Sequence, residues 1–481
     1  MISDNTLRSE NAPTRSWSTR LQGAVPAQAR RPVVFGALAI FSWLYYYRPE
    51  DFIPGTAYVP WAKITGLFAF AALIGGMLGG GKFKVPRAIQ FLWLLLLQMI
   101  LCIPLAIWRG GAFSRVSDNF SKAVVVAMLV SMSVVTLWEL RRLLWIQVSA
   151  VALVTFFSVL IHHTKDGRLQ GIQKSILENP NDLAINIAVS FPLGLVFMLN
   201  AKGFKKVIWI IALAFMAVAI VLTYSRSGLL AFILCVAVCV WVYGIKGKRR
   251  YLVGTAAAVL VIGAALALSS AHYRARVESI VMGNIEGSGD KGSLAARRAL
   301  LIKSLRIAAT HPLFGVGPGC FLLVDQGWVV AHNSYSELAA EAGFPALILF
   351  LLTIGAAFKN VAQVRKTRWY AEDPEVRLFN QALWACLAAY LLSACFASTE
   401  YNLYPYFMVG YTCAMVRITS QPFAGLRDID PRKYVLSAGS DDLPQREEVP
   451  AGNGHGSLYK WAGRSGGQSG TKGQSDRYPR S

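Results

Sequence analysis

The chain has 481 residues, of which 54% are apolar and only 15% charged, with a formal net charge of +22. A soluble domain of ordinary composition carries about a quarter charged residues, and this chain has a mean hydropathy of +0.44, so a soluble globular protein is excluded. Its apolar runs are continuous and roughly 20 residues long, the length that crosses a hydrocarbon core as a helix, which excludes the short alternating strands of a transmembrane β-barrel.

Residues 1–31 are polar and basic, with neither an apolar core nor a cleavage site before Pro32. A removable signal peptide is therefore not expected, and the first membrane helix serves as its own anchor. The apolar runs predict spans at about 32–47, 59–79, 89–108, 121–138, 143–161, 183–200, 206–223, 228–244, 251–270, 339–358, 378–396 and 403–419. The expected fold is all-α, a polytopic membrane protein of about twelve helices. Its parts are a basic cytoplasmic segment (1–31), nine helices (32–270), a large extracytoplasmic loop (271–338), three more helices (339–419) and a tail (420–481). The tail is rich in Gly, Ser, Asp and Arg and is expected to be disordered.

Orientation follows from the Lys and Arg bias of short loops. The segments "GGGKFKVPR", "ELRR", "AKGFKK", "KGKRR" and "KNVAQVRKTR" are basic and fall on alternate sides of successive spans. The intervening loops mix both signs. Both termini are therefore expected in the cytoplasm, with Arg226 and residues 271–338 on the outer face. In this setting the excess positive charge speaks for anionic membrane lipids as partners and not for nucleic acid. Six of the seven cysteines sit inside apolar runs, so no disulfide framework is expected. Cys235 and Cys239 share a helix face but lack neighbouring ligands, and no metal is expected there.

The outer segment is more than a connection. Residues 293–312, "SLAARRALLIKSLRIAATHP", alternate apolar and basic residues at helical spacing and predict an amphipathic helix at the interface. "LFGVGPGCF" follows as a Gly- and Pro-rich turn, and "AHNSYSELAAEAGFPALILF" predicts a helix running from the outer surface into the membrane. The turn lacks the strand and Walker lysine of a nucleotide loop.

Several residues in this part of the chain have the chemistry to hold an anion. Arg226, in "TYSRSGLL", stands between two strongly apolar runs. It can snorkel to water, but Ser225, Ser227 and Gly228 beside it mark a helix start whose free N–H groups suit an anion. A guanidinium there has the fork that matches phosphate oxygens. Arg297 and Arg298 touch lipid headgroups as ordinary members of an amphipathic helix, or fold one arginine over the same anion. His332 begins a helix beside Asn333 and Ser334, with Glu337 and Glu341 on later turns, and an imidazole accepts a hydroxyl proton near neutral pH. His162 and His163 read as interfacial and His311 as structural. The acids Glu278, Glu286, Asp290, Asp325, Glu337 and Glu341 form no clear metal-ligand set.

At these residues the sequence resembles the O-antigen ligase and polymerase superfamily of bacterial membrane glycosyltransferases. Three blocks carry the resemblance in order: "TYSRSGLLAFIL", "RRALLIKSLRIAATHPLFGVGPGCF" and "AHNSYSELAAEAGFPALILFLL". "ENPNDLAINIAVSFPL" is similar to a further segment of many members. The recognisable region spans about residues 175–355. Leu301 departs from a common tryptophan, and Ala346 from a common glycine.

The resemblance implies a helical, metal-independent glycosyltransferase of the bacterial inner membrane, without a cofactor. Its donor is a glycan on a polyprenyl (undecaprenyl) diphosphate, and its acceptor a glycan, lipid or protein hydroxyl. It assigns Arg226 and Arg297 to the donor diphosphate, with Ser225 and Ser227 beside them, and His332, Asn333 and Glu337 to the acceptor side. Spacing favours Arg297 over Arg298 as the family arginine. Ligase and polymerase share these motifs, and the single broad outer loop favours a ligase. A transporter of lipid-linked glycans is the reading from another class, but it predicts repeated halves and broken helices near the midplane, and neither is visible in the sequence.

Overall fold

The computed structural model describes residues 32–47, 61–78, 85–161, 164–165, 168–171, 178–247, 251, 294–324 and 329–421. The N-terminal segment 1–31, all but the first residue of the expected span 251–270, residues 271–293, the His162–His163 pair and the tail from 422 lie outside the described residues.

The described chain is helical apart from one short hairpin. In order come α1 (Pro32–Tyr47), α2 (Trp61–Leu78), α3 (Arg87–Cys102, prolonged by a tight turn at Ile103–Leu105) and the short α4 (Arg109–Ser114). A widened turn, Arg115–Phe120, leads into α5 (Ser121–Ser133), followed by α6 (Leu137–Leu160). Strands β1 (Thr164–Lys165) and β2 (Arg168–Leu169) pair antiparallel. Next are α7 (Pro180–Asn200), α8 (Phe204–Leu222) and α9 (Arg226–Cys239, widened at Val240–Ile245). Then come α10 (Leu294–Thr310), the short α11 (Phe321–Val324), the long α12 (Ser334–Val364), α13 (Arg368–Glu372), α14 (Pro374–Ala394) and α15 (Tyr404–Thr419).

Local chemistry starts these helices where they start. Thr136 and Glu139 form a reciprocal capping box at α6, the arrangement that satisfies two orphan amides at once. Asp373 and Pro374 open α14, and Asn179 and Pro180 open α7, each pairing a side-chain cap with a residue lacking the N–H.

Among the described residues, six helices are long and apolar enough to cross a membrane: Arg87–Leu105, Leu137–Leu160, Pro180–Asn200, Phe204–Leu222, Ser227–Ile245 and Ser334–Val364. Their outer faces are apolar where a soluble protein would be polar. On α8, Val207, Ile208, Ile210 and Ile211 are exposed, a contiguous apolar face that water would not tolerate and lipid does. The inner faces pack α7 against α9 and α14, α3 against α12, and α5 against α15. The expected spans 121–138, 378–396 and 403–419 are helical as α5, α14 and α15. The expected span 339–358 is part of α12, which begins at Ser334, inside the segment expected as loop.

Two sets of helix ends emerge. Arg141 at the start of α6 pairs with Glu375 at the start of α14 at 3.2 Å, and Arg417 near the end of α15 donates to the Met132 carbonyl at the end of α5. At the opposite ends, the loop before α7, the α8–α9 turn, the start of α12 and the α14–α15 loop come together. This second set carries the residues of interest.

The helix α12 is broken near its start. Gly343 sits at φ 81°, ψ 172°, two residues before Pro345. The turn after α10 fills the break. Val316 N–H donates to the Ala340 carbonyl and Gly317 N–H to Glu341, each at 2.9 Å, while Phe344 N–H donates to Pro312 at 2.8 Å. Gln98 of α3 donates to both Leu313 O and Ala342 O. Carbonyls that the kink releases are thus taken by protein, as apolar surroundings require. Both glycines of this contact are needed: a Cβ on Gly315 would lie 2.3 Å from Glu341 C, and one on Gly343 2.4 Å from Leu313 C.

Candidate active site

Two residues other than glycine have a left-handed backbone among the described residues: Tyr224 at φ 48° and His332 at φ 55°. Such a conformation costs about 1–3 kcal/mol and persists only where surrounding structure imposes it. Each lies in one of the blocks singled out in the sequence, and each is fixed by a different partner segment.

Tyr224 ends the turn from which α9 starts. Arg168, on β2, donates through Nε to Thr223 O at 3.0 Å and through Nη2 to Asn181 Oδ1 at 2.9 Å. Ser225 donates to the same Asn181 oxygen at 2.8 Å and caps the helix by accepting from Gly228 N–H at 3.2 Å. Ser227 lies 3.2 Å from Ser225, oxygen to oxygen. Both serines are buried. The Ser225 hydroxyl, expected beside the donor diphosphate, also caps the start of α9, and Ser227 lies against it. Arg226 is the first residue of α9, and its side chain lies outside the described residues.

His332 precedes the cap of α12. Asn333 accepts from Tyr335 N–H and Ser336 N–H through Oδ1 and donates through Nδ2 to Cys395 O at 3.0 Å. Both ends of the amide expected on the acceptor side are therefore engaged in the fold. The His332 ring is half-buried, and no hydrogen bond to it is found among the described residues. Burial first, and then the charge of Arg297, hold its pKa below the ordinary histidine value. Arg297, on α10, is half-buried and lies within electrostatic reach of His332, whereas Arg298 is exposed.

The start of α9 belongs to the same end of the helices. Asn181 and Asp182 open α7 beside Ser225, and Asp182 lies within electrostatic reach of Tyr404. The Tyr404 ring packs edge-on against Tyr390 at 5.9 Å. Thr399 reaches the Tyr390 hydroxyl and lies 3.1 Å from the Ser334 hydroxyl. The Arg226 turn and the His332 turn thus lie at the same end of the helices.

Two of the acids expected to be scattered, Glu337 and Glu341, belong to a cluster with a third that was not among them. Glu337 and Glu341 of α12 meet Glu400 of the α14–α15 loop, all buried, with carboxylate oxygens within 4.8 Å of one another. Among the described residues these are the ones able to hold a metal ion together. Both oxygens of Glu341 and one of Glu337 accept hydrogen bonds, while Glu400 Oε2 is buried without a partner among the described residues. Glu341 accepts from Gly319 N–H at 2.8 Å, Phe321 N–H at 3.1 Å and Tyr401 O–H at 2.5 Å. Glu337, expected on the acceptor side, is 4% exposed and accepts from Ala331 N–H at 2.9 Å and from the Ser398 hydroxyl. Burial, reinforced by Glu341, pushes Glu400 up to about 8, so near neutrality it keeps its proton. Arg115 lies over the Tyr401 ring at 5.3 Å, and its charge reaches Glu341 and Glu400. Sequence reasoning does not single out Glu400, Ser398 or Arg115. The polar run "STE" between two apolar stretches is the available signal.

Apolar helices with lipid-facing surfaces, polar groups gathered at one set of ends and α10 packed over them define a multi-pass α-helical membrane protein. Residues 211–351 match the family model described as O-Antigen ligase. That stretch contains Ser225, Arg226, Ser227, Arg297, His332, Asn333 and Glu337, and the match supports the O-antigen ligase-like family and a membrane enzyme of the ligase or polymerase type. No curated protein matches the chain.

Proposed function

We propose that the chain is an O-antigen ligase-like glycosyltransferase of a bacterial inner membrane. It moves a glycan from a polyprenyl diphosphate to an acceptor hydroxyl at the outer face. The observation that carries this reading is the pairing of a half-buried imidazole, without a hydrogen-bond partner among the described residues, with Arg297 beside it.

The chemistry follows from that pair. The acceptor oxygen attacks the anomeric carbon, the bond from that carbon to the diphosphate oxygen breaks, and the bonding electrons leave with the phosphate. His332, held below its ordinary pKa, is neutral at physiological pH and takes the hydroxyl proton. Arg226 and Arg297 hold the diphosphate and stabilise the charge that grows on it, an effect worth several kcal/mol when the donors are fixed in advance. Two guanidinium groups do the work that a divalent cation does elsewhere, so transfer proceeds without added metal. Direct displacement inverts the anomeric carbon.

The orientation has separate support. Arg141, Arg142, Lys205, Lys206, Lys246, Arg365 and Arg368 stand at the helix ends away from the His332 turn, and basic loops stay in the cytoplasm. The proposed site then faces outward.

The test is transfer of a polyprenyl-diphosphate-linked oligosaccharide by the purified protein in chelator. Arg226→Ala, Arg297→Ala and His332→Ala are each expected to lose at least about a hundredfold in turnover. Normal turnover in all three removes the reading. Supplying the donor alone separates chain growth from ligation: lengthened lipid-linked glycan identifies a polymerase.

A further inference from the structure

We infer that Ser398, together with Glu337, positions His332, fixing the backbone turn that keeps the imidazole beside Arg297. Ser398 lies beyond the family-matched segment, in the loop between α14 and α15. The inference rests on the proposed role of His332 in transfer.

The geometry is a clamp between two segments far apart in sequence. Ser398 Oγ accepts from His332 N–H at 3.1 Å, and the same hydroxyl donates to Glu337 Oε2. That oxygen also accepts from Ala331 N–H at 2.9 Å. The consecutive amides of Ala331 and His332 are therefore tied, directly or through one hydroxyl, to a single carboxylate oxygen. The next residues are tied to the same loop. Asn333 Nδ2 donates to Cys395 O at 3.0 Å, Ser334 N–H to Ala397 O at 3.1 Å, and Ser334 O–H to Ala397 O at 2.6 Å. Thr399 N–H returns a bond to Ser334 Oγ at 2.8 Å.

The physical need for this clamp is the backbone at φ 55°. An L-residue relaxes from the left-handed region unless several contacts forbid it. Relaxation there would swing the Cα–Cβ bond, and with it the imidazole, away from Arg297. Glu337, in the first turn of α12, resists this through the one oxygen that accepts from both Ala331 N–H and the Ser398 hydroxyl. Ser398 touches no reacting atom. It acts on the reaction only through where it holds His332.

The experiment uses the full chain in lipid nanodiscs with a polyprenyl-diphosphate-linked oligosaccharide as the donor probe. Ser398→Ala is expected to lower kcat about tenfold to a hundredfold, the scale of a misplaced catalytic group, with the donor KM little changed. Ser398→Thr keeps the hydroxyl and should restore most of the rate. The acid limb of the Ser398→Ala pH profile should move upward, because a displaced imidazole leaves its burial and Arg297 behind. In the His332→Ala background, Ser398→Ala should cost nothing further. Should Ser398→Ala fail to insert, Glu337→Leu carries the same measurements, as it keeps the bulk of the side chain but removes the oxygen shared by Ala331 N–H and the Ser398 hydroxyl. An unchanged kcat and acid limb in an inserted variant, or an equal loss with and without His332, overturns the inference. A fully active His332→Ala protein instead overturns the proposed function, so the two failures are distinguishable.

Discussion

At the scale of single residues, Arg297 has two separable effects on the proposed reaction. It holds anion charge, and it also lowers the pKa of His332 together with burial. An imidazole acting as base works in its neutral form, so turnover falls as pH drops through its pKa. In the native protein that limb lies below the ordinary histidine value of about 6.5. Arg297→Gln removes the neighbouring charge, the His332 pKa rises, and the limb of the residual activity moves to higher pH. Arg298→Ala, at an exposed position, should leave both rate and limb near native. Glu400 gives a stability counterpart. It is raised from 4.5 to about 8, so the folded protein keeps a proton there that the unfolded chain gives up from about pH 4.5. Stability is therefore lost as pH rises from the ordinary glutamate range to about 8, by about 1.4 kcal/mol for each pH interval of one. Glu400→Gln cannot ionise. Its thermal midpoint should exceed the native one above pH 8, and the gain should vanish below pH 4.5. The sequence favours Arg297 only through its spacing of fourteen residues before His311; that Arg297 is half-buried and Arg298 exposed is a separate observation that depends on how α10 packs. Glu400 and Ser398 were not legible, since their meaning lies in a pairing with α12 across some 60 residues that no periodicity encodes.

At the scale of elements, the helices were readable and the breaks in them were not. Apolar runs announced α1, α2, α3, α7, α8 and α9 nearly to their ends, because lipid forces a span to be apolar along its whole length, whereas α6 starts at Leu137, six residues before its expected span. Hydropathy averages over the break in α12, although "GFP" at Gly343 to Pro345 was its visible mark. That break and the turn at residues 311–319 are one construction, each supplying what the other's backbone lacks. Gly343→Ala is expected to destabilise by at least about 2 kcal/mol, because φ 81° and a Cβ pressed on Leu313 add strain to overlap. A denaturation midpoint in detergent equal to the native one would show that the turn is not docked this way. The hairpin before α7 makes a similar claim. Arg168 uses two different nitrogens to hold Thr223 O and Asn181, and a lysine cannot span both. Arg168→Lys should therefore loosen the turn that launches Arg226 and lower turnover about tenfold, with the chain still inserted. Full activity in Arg168→Lys would mean that the turn holds its left-handed Tyr224 without the fork.

At the scale of the whole molecule, the distribution of charge and the location of the site make a single statement about the membrane. Basic residues stand at one set of helix ends, and the Arg297–His332 pair at the other. Lysines and arginines clustered at the first set are the sequence feature that orients a multi-pass chain. At the second set two cations are built into the fold: Arg115 stacks on Tyr401 and Arg168 is forked onto Asn181 and Thr223. The cysteines allow this to be measured directly. Six of the seven are buried, and Cys395, in the loop that clamps the His332 turn, is exposed. A membrane-impermeant maleimide added to intact cells should label Cys395 alone and, by crowding the Asn333 contact, slow glycan transfer. Ser420→Cys in a Cys395→Ser background places the thiol just past α15, at the basic ends, and should react only after the membrane is opened. The reverse pattern would put the Arg297–His332 pair on the cytoplasmic side, where the acceptor proposed for it is not found.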